Sequence, residues 1–211
     1  MTNSFSLWPE LYFIRHGQTD WNAEGRYQGT QDIPLNAVGR AQADANGPLL
    51  RMLLEREGRS ATDFDWFATP LGRTQETARR ILAAFEPPHP AVRIDKRLVE
   101  ISFGVYEGRQ VQELADHPML APGSRDETFW SYRPEKGENY DDVVVRLEDF
   151  ARTLTRPTIM IGHGGILRVL RHLIAGASQV DVVNWSTPQD VVYHFTNAQM
   201  IERPASAAWV D

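Results

Sequence analysis

Two histidines of this chain stand in glycine-flanked turns, Arg15-His16-Gly17 and Gly162-His163-Gly164-Gly165, and a third turn, Thr69 to Arg73, brings a second arginine. These residue types fit the handling of a phosphoryl group. A phosphate dianion asks for fixed cationic donors, and the planar guanidinium fork matches its oxygens two at a time. Arg15 and Arg73 can supply it. A helix opening at Gly164-Gly165 would add main-chain N–H groups and the positive end of a dipole. One histidine can attack phosphorus, but only while neutral, and arginines beside it favour that form by like-charge repulsion. The other can bind the equatorial oxygens as charge redistributes. A carboxylic acid is then needed to protonate the leaving alcohol. Taken singly, a histidine after a strand is more often a packing residue. Two of them, with two arginines at comparable places, carry the signal.

Other chemistries find little support. There is no G-x-S-x-G elbow, no G-x-x-x-x-G-K-[ST] loop and no G-x-G-x-x-G loop. The absence of cysteine in 211 residues excludes disulfides, thiolate nucleophiles and cysteine-held metals. His89 and His117 lie in proline-rich loops, His172 falls late in a helix and His194 alternates within a strand, so all four read as structural or surface residues. A formal net charge of −6 without a basic run speaks against nucleic acid. No apolar run approaches a membrane span, and Met1 to Glu10 lacks a basic signal-peptide start. A cytoplasmic protein acting on a small phosphorylated substrate is expected, and the sequence leaves a homodimer open.

Elements must place these turns together. Leu11 to Arg15, Asp65 to Ala68, Val92 to Ile94, Thr158 to Ile161, Val191 to Phe195 and Met200 to Glu202 read as strands. Asn36 is expected to cap a long helix with Val38, Ala41, Ala45, Leu49, Leu53 and Leu54 on its apolar side. Further helices are expected over Leu71 to Phe85, over Tyr140 to Leu154, and after Gly165. Residues 104–139, interrupted by Pro118, Pro122 and Pro134, read as an excursion forming a lid. The alternation predicts an α/β fold over 1–211: a three-layer α/β/α sandwich, a mostly parallel sheet with helices on both faces. Ligands bind such folds outside the carboxyl ends of the strands, where all three turns fall.

At this point a family resemblance emerges. LYFIRHGQTDWN (Leu11 to Asn22) resembles the defining motif of the histidine phosphatase superfamily, in its phosphoglycerate-mutase-like branch. RYQGTQDIPLNAVGRAQA from Arg26, ATPLGRTQETA from Ala68, RLVEISFGVYEG from Arg97, PEKGENYDDVVVRLEDF from Pro134 and IGHGGILR from Ile161 are similar to five further blocks of that family, in its order. The resemblance implies a phosphohistidine on His16. It implies that Arg15, Arg73 and His163 grip the phosphoryl group with Asn22 assisting, and that Gly29 and Gly164 offer backbone contacts. Gln28 joins the substrate-binding set, although many relatives carry Ser or Thr there. Glu100 becomes the general acid and later the base, a role the residues alone would not have singled out. Glu107 is expected to buttress a loop. Neither metal nor cofactor is implied. Glu76 and Asn139 depart from the usual Gln and Ser.

The same site could hydrolyse an ester or run a phosphoglycerate mutase cycle. Mutases of this resemblance carry a Trp-Arg-Arg block in a longer lid, whereas here Arg109, Arg125, Arg133 and Lys136 are scattered. Hydrolysis of a phosphate monoester is therefore expected, with mutase activity as the first alternative and a non-catalytic phospho-ligand binding module as another. Phe103, Trp130 and Tyr132 would give the lid a partly apolar lining.

Overall fold

The computed structural model describes residues 7–120 and 125–206. Residues 121–124, with Pro122 of the expected lid, and both ends of the expected 1–211 domain lie outside the described residues. Six strands form one sheet in the order β3-β2-β4-β1-β5-β6, with β1 Leu11–Arg15, β2 Asp65–Ala68, β3 Val92–Ile94, β4 Thr158–Gly162, β5 Val191–Thr196 and β6 Gln199–Pro204. The first four in that order run parallel, and β5 and β6 run antiparallel to their neighbours.

Strand alternation divides the apolar residues between two cores. Leu11 and Phe13 of β1, Met160 of β4 and Tyr193 of β5 point into one. There they meet helices α5 (Tyr140–Ala151), α6 (Gly164–Ala175) and α7 (Gln179–Asn184). Tyr12, Ile14, Trp66, Ile159 and Ile161 point to the opposite face, against α2 (Ala37–Arg56) and α3 (Gly72–Leu82). Helices thus cover both faces of a mostly parallel sheet. Among the described residues no helix is long and apolar enough to cross a membrane.

Register is what serves the site. Arg15 pairs with Gly162, and Ala68 pairs with Ile161. The carboxyl ends of β1, β4 and β2 are therefore level, and His16, His163 and Thr69 follow them side by side.

The buried face of α2 differs from the expected one. Val38, Ala41 and Ala45 are exposed and Leu53 is only half-buried; Gly39, Ala43, Asn46, Gly47, Leu49, Leu50 and Leu54 face inward. Hydrophobic spacing misled because two glycines lead this helix inward: it approaches its neighbours through backbone. A Cβ on Gly17 would collide with the Gly39 carbonyl, and a Cβ on Gly39 with the Gln18 main chain. Asn36 does cap α2, accepting from Gly39 N–H at 2.9 Å, and its own N–H donates to Gln18 O. The loop after His16 is thereby fixed to the start of α2. Gly39→Ala should lower stability by about 3 kcal/mol, the upper part of the overpacking range, and reduce activity with it. Urea denaturation beside an activity assay checks this, and an unchanged midpoint would show that the contact can give way.

Several described residues within 104–139, the expected lid, belong to the core. The segment holds two 3-10 turns, Gly104–Tyr106 and Val111–Leu114, and helix α4 (Glu127–Ser131). Leu114, Leu120, Phe129 and Trp130 belong to the first core. Trp130 is not a lining residue: its ring stacks on Tyr140 at 4.8 Å and its indole N–H donates to Asp141 at 2.7 Å. The other histidines are engaged structurally, as expected. His117 Nδ1 accepts from Met119 and Leu120 N–H, His172 Nδ1 donates to Ala177 O, His194 pairs with Glu10, and His89 meets Phe85 O.

Candidate active site

His16 follows the last residue of β1, with its N–H on Gly162 O at 2.9 Å. The residue is 3% exposed, and its Nδ1 lies 2.7 Å from Gly17 O. A carbonyl only accepts, so the proton belongs on Nδ1 and the lone pair on Nε2. Burial first, then Arg73 and Arg15, hold the imidazole well below its ordinary pKa. His16 is therefore neutral, with one nitrogen free to attack.

His163 caps α6 from the end of β4. Its ring is edge-on to His16, with centroids 5.1 Å apart. Nε2 is 3.2 Å from Thr69 Oγ1, and Nδ1 is 3.4 Å from an Arg73 guanidinium nitrogen. A guanidinium only donates, so Nδ1 accepts here and Nε2 carries the proton. His163 too is held well below its ordinary pKa, by burial, then Arg73, His16 and Arg15.

Both buried histidines give the fold an acid sensitivity. The unfolded chain takes up their protons near pH ~6.5, while the native state does not. Each should cost up to about 1.4 kcal/mol of stability per pH unit below that value, because the unfolded state then binds more protons. Urea midpoints at about pH 7.5 and about pH 5.5 measure the slope. His163→Gln should flatten it, and an equal slope in that variant would refute the assignment.

The two arginines are braced rather than free. Arg15 ends β1 and donates to Thr187 O at 2.6 Å. Arg73, in the first turn of α3, is fully buried and donates to Gln31 O at 2.5 Å and Gly29 O at 2.9 Å. Burial lowers each to about 10, against an opposing pull from Glu100, and both remain charged near neutrality. Among the described residues, six buried side-chain nitrogens or oxygens lack a protein partner, and three of them are Arg15 Nε, Arg73 Nε and Gln28 Nε2. Buried donors of this kind are costly unless something accepts from them, and an anion among these residues would.

Glu100 joins the cluster through α6. Gly165 N–H donates to both of its carboxylate oxygens at 3.0 Å, and Ile101 N–H to one of them at 3.0 Å. A Cβ on Gly165 would strike that carboxylate, and one on Gly164 would lie 2.9 Å from Thr187 Oγ1. These two glycines keep the start of α6 open to both groups. Gly29 gives its carbonyl to Arg73.

Two carboxamides stand on the β1 side. Asn22, in helix α1 (Asp20–Ala23), accepts on Oδ1 from Thr19 N–H at 3.2 Å and Gln189 Nε2 at 3.0 Å. Gln28 accepts on Oε1 from Thr19 Oγ1 at 2.6 Å. Glu107 accepts from Thr30, Ser102 and Phe103 at 3.1–3.3 Å, the buttress expected of it. Of the departures, Glu76 pairs with Arg40 and Arg80, and Asn139 caps α5 as Ser would.

The fold thus brings His16, His163, Arg15, Arg73 and Glu100 into one cluster, flanked by Asn22, Gln28, Gly29 and Gly164. Sequence reasoning missed Thr187 and Gln189, which lie in the loop between α7 and β5. Neither residue type nor spacing marks them there.

Comparison with known proteins shows the family. Residues 11–197 match the family described as histidine phosphatase superfamily (branch 1). The chain is 35% identical over 177 residues to the probable phosphoglycerate mutase GpmB of Enterobacter sp. (strain 638), covering 79% of this chain and 75% of that protein. It is 30% identical over 189 residues to the glucosyl-3-phosphoglycerate phosphatase of Mycobacterium tuberculosis, covering 83% and 78%. Among solved structures it resembles a putative alpha-ribazole-5'-P phosphatase from Escherichia coli, with TM-score 0.69 and 27% identity over 93% of this chain and 95% of that one. With the family match spanning both histidine turns, this chain belongs to the histidine phosphatase superfamily, branch 1.

Proposed function

We propose that this enzyme hydrolyses a small phosphate monoester through a phosphohistidine on His16 Nε2. The observation that carries the reading is the tautomer: Nδ1–H is committed to Gly17 O, and burial with Arg73 and Arg15 keeps the ring neutral. Arg15, Arg73, Gln28, Asn22 and the backbone at Gly29 and Gly164 receive the phosphoryl oxygens. His163 stays neutral beside them and holds the Arg73 guanidinium through its Nδ1. Nε2 then attacks phosphorus, the ester P–O bond breaks, and Glu100 gives a proton to the leaving oxygen. In the second half Glu100 takes a proton from water, the water oxygen bonds to phosphorus, and the P–N bond breaks to release phosphate.

Hydrolysis is favoured over mutase chemistry by the state of the basic residues in 104–139. Arg133 pairs with Asp142, Arg109 with Glu113, and Arg125 donates to Val183 O while covering Phe129. These three arginines are engaged within the protein rather than held for a second phosphate or carboxylate, and Lys136 is an isolated exposed charge rather than part of a paired basic block. The named relatives include a probable mutase and a phosphatase of a glycerate phosphate, so phosphoglycerates belong in the test.

A panel of sugar, glycerate, nucleotide and peptide phosphates, scored by phosphate release, decides between the readings. Phosphate release is expected. If 3-phosphoglycerate with catalytic 2,3-bisphosphoglycerate gives 2-phosphoglycerate faster than phosphate, the enzyme is a mutase. Tight binding of a panel member with no turnover of any would make it a binding module.

A further inference from the structure

The loop between α7 and β5 is fastened to the site with unusual density. Three consecutive carbonyls each accept a side-chain donor from a different element: Thr187 O from Arg15 of β1 at 2.6 Å, Pro188 O from Tyr193 of β5 at 3.0 Å, and Gln189 O from Asn46 of α2 at 2.9 Å. Arg168 of α6 adds a bond to Trp185 O at 3.0 Å. Main-chain positions held this way leave the side chains of the loop little freedom.

Gln189 is the one that turns inward. It is nine-tenths buried, and its Nε2 donates twice, to His16 O at 3.0 Å and to Asn22 Oδ1 at 3.0 Å. One amide thus holds the main chain of the nucleophile and a side chain of the phosphoryl pocket together. The second bond also settles which way Asn22 faces. Its Oδ1 accepts from Thr19 N–H and from Gln189. A carboxamide with its oxygen so committed presents its NH₂ on the opposite side. An anion is stabilised by that NH₂ and repelled by the oxygen.

We propose that Gln189 is a positioning residue for phosphoryl transfer: it fixes the carbonyl of His16 and orients the amide of Asn22 so that this amide meets the phosphoryl group with its NH₂ rather than its oxygen. This rests on the phosphohistidine reading of the site.

Gln189→Glu keeps the shape and removes the donor. The carboxylate would face two acceptors and is accommodated only if Asn22 turns its NH₂ toward it and its oxygen toward the phosphoryl group. Inorganic phosphate, titrated calorimetrically, should then bind at least about tenfold more weakly, the scale of one lost hydrogen bond to a charged group. The acid limb of kcat/KM should move to higher pH, because the added negative charge favours protonated His16. Gln189→Met, which adds no charge, should weaken phosphate without moving that limb. In an Asn22→Ala background, Gln189→Met should change phosphate affinity by less than about twofold, since the two act as a unit.

A purely structural role would lower the melting temperature and the active fraction but leave the dissociation constant and the pH limb unchanged. If Gln189→Glu fails to fold, the Met variant and its cycle with Asn22→Ala decide. Wild-type phosphate affinity in the folded variants overturns the role of Gln189 and leaves the site reading intact. A wild-type enzyme that neither binds phosphate nor releases it from any ester overturns the site reading itself.

Discussion

His16→Ala should abolish turnover, lowering kcat by about 10⁴-fold or more, the scale on which an enzyme loses its nucleophile. The cause is local. Among the described residues, only Nε2 of His16 combines a free lone pair with a neutral ring beside two arginines, since His163 keeps its proton on Nε2 and its Nδ1 against Arg73. Denaturing quench of the wild-type enzyme during turnover should trap phosphate that is acid-labile and base-stable, as a P–N bond requires. The variant should trap none. Circular dichroism should show the variant folded, so that the loss reports on the missing nucleophile. Normal turnover in His16→Ala, or a base-labile acyl phosphate in the wild type, would refute the mechanism.

Glu100→Gln should produce the second largest loss, and its size should depend on the leaving group. Phosphate esters of simple alcohols need a proton on departure, so kcat should fall about 10²- to 10⁴-fold for them. A nitrophenyl ester leaves without help. Its first step should survive while hydrolysis of the phosphoenzyme slows, giving a burst of nitrophenol followed by a slow steady state. The glutamine keeps an oxygen for Gly165 and Ile101 N–H, so local structure should persist. Equal losses for alkyl and aryl esters, with no burst, would remove Glu100 from the proton-transfer role.

Much of this architecture could be read from the chain, and the failures have physical causes. Leu11 to Arg15 and Thr158 to Ile161 are apolar runs that end in glycine-flanked histidines, and both are strands at the level expected. Asn36 marks the start of helix α2, but apolar spacing points to a face that the helix does not bury. Apolar periodicity finds a face built of side chains, and the buried one is built partly of Gly39, Gly47 and Asn46. Trp130 reads as part of an apolar lid lining because aromatic residues in an irregular segment resemble one; its burial comes from Tyr140 at the start of α5 and from His172 of α6, 42 residues on. Glu100 needed the family motif, because one carboxylate among 28 acidic residues has no local mark. Gln189 had no mark of any kind. Its importance comes from two partners 173 and 167 residues away.

That separation bears on how the protein comes to exist. The phosphoryl cluster draws on residues 15–16, 73, 100, 163–165 and 187–189, and strand β1, which carries its nucleophile, pairs with β4 and β5 from the last third of the chain. A growing polypeptide on the ribosome cannot assemble this pocket before residues 187–189 have emerged. Strand β1 must wait, unpaired on both edges, until β4 and β5 follow it. Long-range closure of this kind folds slowly, and the waiting apolar segment Leu11 to Ile14 is where a nascent chain most needs protection from other chains.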